Sequence, residues 1–335
     1  MAYQDIKESR MYKRAEELAG AIWDNELTQL AKDINSYRNF QRQRSTKEPR
    51  APYTISTNQP TNQLTTKLTT AQQTNNSWLC VGLDPAMERL PQVVLASDDP
   101  LLAFGRAIVE ATADLVCAYK PNLGFWLAEG PDGLRALQRL VSEIPEHLPV
   151  ILDAKFNDIG NTAAAYARAA FEMLGVDGVT ANPYLGLDAL RPFLASEKHG
   201  VFLLARTSNP SAPDLQDQSV DGRPLYEKVA QLAVEWNTEN PGTCGLVVGA
   251  TYPEELARLR EIAPDLPFLI PGIGAQGGNL EAAVTHGPTT AGLGPVINSS
   301  RGIIYASQGP DFAEAARAAA LTLRDQINQF REAIK

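Results

Sequence analysis

From Trp78 onward the chain repeats one pattern: a short, nearly continuous apolar run, a polar or Gly/Pro turn, then ten or more residues with helical spacing. The apolar runs are WLCVGL, LVCAYK, PVILDAK, GVTANPY, VFLLART, GLVVGAT, PFLIPGI and AGLGPVIN. Amphipathic segments such as PLLAFGRAIVEATAD, NTAAAYARAAFEML and PEELARLREIA stand between them. Strands apolar at successive positions are buried on both faces, as parallel strands covered by helices are. Eight such units predict an α/β fold, a closed (β/α)8 TIM barrel. An open doubly wound sheet is the alternative; against it, the first turn reads GLDP, not a glycine-rich dinucleotide fingerprint, and the repeat count matches closure.

The N-terminal part does not follow the repeat. Ile22, Leu27, Leu30, Ala31 and Ile34 recur at helical steps, which predicts a helical segment in the first 45 residues. Ser45 to Asn76 is dominated by Thr, Gln, Asn, Pro and Ser, cannot bury much area against its ordering cost, and reads as a linker. Its last part, LTTKLTTAQQTNNS, can form a short helix leading into the first strand. The expected organisation is an extension over 1–60 and a barrel domain over 61–335.

The 335 residues exceed an average domain, yet one such barrel takes roughly 250, so length does not demand a second. A net charge of -9 argues against a general nucleic-acid or anionic-membrane binder, and any bound anion needs a local positive site. No run of about 18 apolar residues is present, and the first thirty residues mix both charges without an apolar signal core, which predicts a cytoplasmic protein. Cys80, Cys117 and Cys244 each lie in an apolar run without close spacing, so buried thiols are expected instead of a disulfide framework or zinc site. His147, His199 and His286 are far apart, and none is half of an evident catalytic pair.

In a barrel of this kind function gathers at the carboxyl ends of the strands. Strand one ends in Asp84, strand two in Lys120, strand three in Asp153, Lys155 and Asp158, and strand five in Thr207, Ser208 and Asn209. Asp153 and Lys155 are two apart, so on an extended strand both face the barrel mouth. Asp158 follows where the strand gives way to a turn, and can swing across the mouth or toward a neighbouring subunit. With Lys120 on the adjacent strand these residues form an acid and base array. A structural ion-pair network is the bland alternative, and the strand-end position tips the balance toward a site. Such an array holds a proton beside fixed negative charge. A substrate carboxylate set against the aspartate would shed that repulsion by leaving as carbon dioxide, and the carbanion could take the lysine's proton.

Strands seven and eight end in PGIGAQGG and NSSRG, where barrels commonly build a phosphate site from loop amides. Arg301 offers a planar fork for two phosphate oxygens and Gln276 an amide donor. Asp84, before Pro85, either caps a turn or binds substrate hydroxyls. Ser208 and Asn209 either read a polar heterocycle edge or form a turn before Pro210. The long stretch SNPSAPDLQDQSVDGRP suits a lid or a passive surface loop. Trp126 and Trp236 are assigned to packing.

Together CVGLDP, YKPN, the Asp-x-Lys-x-x-Asp run, RTSNPSA, PGIGAQGG and the terminal Arg-Gly resemble the orotidine 5'-phosphate decarboxylases, in particular their longer bacterial-type branch. The resemblance runs from about Leu64 to the C-terminus. It implies a barrel that converts orotidine 5'-monophosphate to UMP and carbon dioxide without metal or organic cofactor. It further implies that Lys155 protonates the pyrimidine carbon, Asp153 faces the leaving carboxylate and Lys120 bridges. Asp84 would bind the ribose and Ser208 the pyrimidine edge, while Gln276 and Arg301 grip the phosphate. Asp158, with Thr162, would serve the partner's site in a homodimer with shared active sites. Phe156 and Asn157 depart from the family's usual basic and small residues. Two rivals share parts of the pattern. A magnesium-dependent phosphosugar decarboxylase carries an acidic residue near strand two, where Lys120 stands. A class I aldolase needs a neutral lysine, whereas flanking carboxylates favour the ammonium. A phosphate-ligand binding barrel without turnover is the non-enzymatic alternative.

Overall fold

The computed structural model describes residues 62–272 and 278–334, so the helix and linker expected within 1–60 lie outside the described residues. All eight apolar runs form strands: β1 Leu79–Leu83, β2 Ala118–Pro121, β3 Ile151–Phe156, β4 Gly178–Ala181, β5 Gly200–Arg206, β6 Thr243–Val248, β7 Phe268–Ile270 and β8 Pro295–Ser299. They pair in parallel around the order β2-β1-β8-β7-β6-β5-β4-β3. The isolated parallel bridges Tyr119↔Val150 and Asn122↔Asp153 join β2 to β3 and complete the circle. The fold is therefore the (β/α)8 barrel and not the open sheet.

The floor of the barrel is closed by helix α1, Gln63–Thr74. Asn62 caps it by accepting the amides of Leu64 and Thr65, and Leu64, Leu68 and Ala71 recur on its inner face. Leu64 and Leu68 enter one apolar cluster with Cys80, Cys117, Ile151, Phe202 and Val296. Each such burial stabilises by about 1.5–3 kcal/mol. Glycine at 200 makes the fit possible, since a β-carbon there would lie 2.4 Å from Leu64 Cδ2. Gln72, wholly buried, donates to the Pro295 carbonyl at 2.6 Å and accepts the Gly294 amide at 2.9 Å. The last part of the polar stretch is thus an integral element of the barrel and not linker; its thiols, Trp126 and Trp236 are buried as the pattern predicts.

The outer layer follows the helical spacing. In α2, Pro100–Thr112, Asp99 accepts the Leu102 amide while Leu101, Leu102, Phe104, Gly105, Ile108 and Val109 turn inward. Helices α3 Gly130–Glu143, α4 Gly160–Arg168, α5 Leu225–Glu239, α6 Pro253–Ile262, α7 Leu280–His286 and α8 Phe312–Ala333 continue the shell. Among the described residues, no helix is long and apolar enough to cross a membrane.

Candidate active site

A cavity of about 600 Å³ opens at the carboxyl ends of the strands. Asp84, Lys120, Asp153, Lys155, Ser208 and Arg301 all line it, although their elements are spread over most of the chain. Its apolar lining includes Leu204, Val247 and Leu269, supplied by β5, β6 and β7. Next to Arg301, β1 and the end of β8 approach so closely that a β-carbon at Gly82 would lie 2.6 Å from Ser300 Cβ, and Ser300 Oγ donates to the Gly82 carbonyl.

Asp153 is the centre of the polar side. Lys120 Nζ donates to its Oδ2 at 3.0 Å and Asn122 Nδ2 to the same oxygen at 3.3 Å. Lys155 Nζ donates to Oδ1 at 2.6 Å and Thr180 Oγ1 to that oxygen at 2.9 Å. An ionised carboxylate offers about four acceptor positions, and these donors fill them. Burial alone would push the Asp153 carboxyl up, but Lys120 and Lys155 outweigh it and hold it at about 2. Burial likewise works against the charge of Lys120, and Asp84 and Asp153 together reverse that, leaving its pKa raised. The two lysines differ in access: the Lys120 side chain is 5% exposed and that of Lys155 50%. One is a fixed charge; the other reaches solvent and the cavity at once.

Asp153 and Lys155 meet for a reason other than simple alternation. β3 slips in register against β4 between Leu152 and Phe156, and Lys155 has a φ of 51, in the left-handed region that bulky residues rarely occupy. The Lys155 amide donates to Thr180 Oγ1 on β4 at 2.9 Å. Phe156 turns away from the cavity and stacks between Tyr166 and Phe193, with ring centroids 5.0 and 5.5 Å away. Asn157 is exposed. The unusual pair therefore leaves the lining intact.

Asp84 accepts the Asn122 amide at 3.1 Å, and its carbonyl accepts from Tyr305. After β5, Gln216 accepts the Thr207 amide and donates to Thr207 Oγ1, which ties the long loop to the strand. That loop is also anchored from below by buried Arg206, paired with Glu255 and within ion-pair distance, 2.7 Å, of Asp217. Asp158 and Thr162 do not line the cavity of their own chain: Asp158 accepts the Ile159 amide, and Thr162 is exposed on the first turn of α4. Gln276 lies outside the described residues. Asn122, Thr180, Gln216 and Asn298 line the cavity without having been singled out by sequence. A signal existed for Asn298, a polar residue near the carboxyl end of an apolar strand.

The model of the orotidine 5'-phosphate decarboxylase / HUMPS family matches residues 77–319. The chain belongs to this family. Relatives within it named orotidine 5'-phosphate decarboxylase include that of Thermomicrobium roseum, 53% identical over 78% of this chain and 93% of that protein, and that of Cellvibrio japonicus, 52% identical over 79% and 98%. The solved structure of Leishmania donovani OMP decarboxylase is similar as well, with a TM-score of 0.70 and 39% identity over 81% of this chain and 99% of that one. The family match begins one residue before Trp78 and so takes in all eight strands.

Proposed function

We propose that this chain decarboxylates orotidine 5'-monophosphate to UMP in de novo pyrimidine synthesis. The observation that carries the reading is the Asp153 carboxylate, held ionised between Lys120 and Lys155 at the mouth of the cavity. Family membership and the relatives' shared name support it.

The substrate carboxylate sits against Asp153, where two like charges about 4 Å apart repel by roughly 4 kcal/mol at an effective dielectric near 20. Breaking the bond from the pyrimidine C6 to the carboxyl carbon releases carbon dioxide and removes that repulsion, which amounts to roughly a thousandfold in rate. The electron pair stays on C6. Lys155 Nζ passes a proton to it, and its exposed side recovers a proton from water. Lys120 keeps Asp153 ionised throughout and, being buried, serves as a fixed charge. Asp84 binds the ribose, Ser208 the pyrimidine edge, and Arg301 with Gln276 the phosphate. The loop from Ser208 to Pro224 closes as a lid over bound nucleotide.

Asp158 and Thr162 act in the site of a second copy, forming a cytoplasmic homodimer. Their place outside their own cavity supports this, as do the exposed apolar side chains of Ile159 and Tyr184 beside β3 and β4. The barrel domain, 61–335, carries the whole activity, with 1–60 a separate extension.

The test is loss of the orotate absorbance with orotidine 5'-monophosphate, with and without a chelator, for wild type and Lys155→Ala. Chelator-insensitive turnover that the substitution reduces by at least about 1,000-fold is expected. Nucleotide binding without turnover in wild type, or full activity in the variant, would overturn the reading.

A further inference from the structure

Thr180 stands at the inward end of β4, 1% exposed, with its one hydroxyl engaged twice. It accepts the Lys155 amide at 2.9 Å and donates to Asp153 Oδ1 at 2.9 Å. The directions are fixed by chemistry: a backbone N–H can only donate, which leaves the single hydroxyl proton for the carboxylate. Both partners belong to the charged run of β3.

The Lys155 amide lies in the interval where β3 loses register with β4. There the Thr180 side chain takes the place of a ladder carbonyl. This matters because Lys155 has a positive φ, a conformation that side chains with a β-carbon keep only where the surroundings over-determine it. The backbone turn in question is the one that brings Lys155 Nζ back onto Asp153, 2.6 Å from the oxygen that Thr180 also holds. An apolar residue would fill the same place in the cavity lining without burying a hydroxyl. Packing does not account for it.

We propose that Thr180 is a positioning residue, whose hydroxyl locks the left-handed backbone of Lys155 to the Asp153 carboxylate and so aims the lysine at the reacting carbon. The kinetic part of this inference rests on the decarboxylase reading above; the geometric part does not.

Thr180→Val keeps the branched shape and removes the hydroxyl, and Thr180→Ser keeps the hydroxyl. Steady-state kinetics with orotidine 5'-monophosphate, UMP dissociation constants and crystal structures of both variants test the role. The valine variant is expected to lose about 10- to 100-fold in kcat, the effect of one or two lost hydrogen bonds at a charged site, with KM and UMP affinity within about threefold. The serine variant should keep kcat within about threefold. In the valine structure Lys155 should leave positive φ and part from Asp153, while in the serine structure both features remain. Wild-type kcat in the valine variant, a serine variant as slow as valine, or a matching loss of UMP affinity overturns the role. If valine cannot be accommodated, Thr180→Ala supplies the same comparison. A wild type that leaves orotidine 5'-monophosphate unconsumed sinks the decarboxylase reading alone; the structures then decide, and an unmoved Lys155 in the variant without the hydroxyl sinks this one.

Discussion

Lys120 Nζ lies 3.0 Å from Asp153 Oδ2 across the seam between β2 and β3, where isolated bridges stand in for a continuous ladder. The ion pair assigned to the chemistry thus also fastens the barrel where its backbone pairing is sparsest among the described strands. Breaking it from one side leaves a buried, uncompensated charge. Asp153→Ala is expected to cost about 3–5 kcal/mol of stability, measured by urea unfolding, beyond abolishing turnover.

Stability should depend on acid through the same residue. Asp153 is held at about 2 against an ordinary 3.8, so its contribution is complete above about pH 4 and fades as pH falls through about 2. The shift corresponds to about 2 kcal/mol. Unfolding free energies of wild type and Asp153→Asn should converge over that window; a constant difference between them would rule the linkage out.

The proposed sharing of sites between two copies makes a quantitative forecast. Lys155→Ala and Asp158→Ala should each be nearly inactive alone. Mixed and reassociated, half of the dimers are mixed and each regains one intact site of two, so activity should return to roughly 25% of wild type. No recovery in verified mixed dimers would place Asp158 in its own chain's site.

Arg301 lines the cavity at the start of the short helix Arg301–Ile304. Arg301→Ala should lower kcat/KM by about 100-fold, the scale of a bidentate charge-assisted contact, and Arg301→Lys should restore only part of it. A KM unchanged in both variants would remove the phosphate role.

The floor helix can be tested by deletion. Leu68→Ala should cost about 2–5 kcal/mol in chemical unfolding. Deleting residues 1–60 spares α1 and should leave kcat/KM within about twofold, whereas deletion through Asn75 should destabilise the barrel. Equal stability of the two truncated chains would count against the floor role of α1.

The strands were legible because parallel strands buried on both faces leave continuous apolar runs, and the charged residues closing those runs stood out against them. Lys120, Asp153, Lys155 and Asp84 were found on that contrast. Thr180 was not, because threonine among Val179 and Ala181 reads as one more β-branched strand former. The turn at Lys155 has no residue signature, since positive φ is announced by glycine or asparagine and here falls on a lysine. The floor helix was half hidden for a compositional reason: its outer face is threonine and glutamine, and only the spacing of Leu64, Leu68 and Ala71 betrays the inner one.

Gln72 closes the floor by gripping Pro295 and Gly294, partners 223 and 222 positions further along the chain. At about 20 residues per second or fewer, the ribosome needs on the order of ten seconds to deliver them. Until then α1 has emerged with an apolar face that only part of the barrel is there to cover, a natural early client for a holding chaperone. A nascent chain stalled before Gly294 would carry every residue of the charged array and still lack a closed floor beneath it.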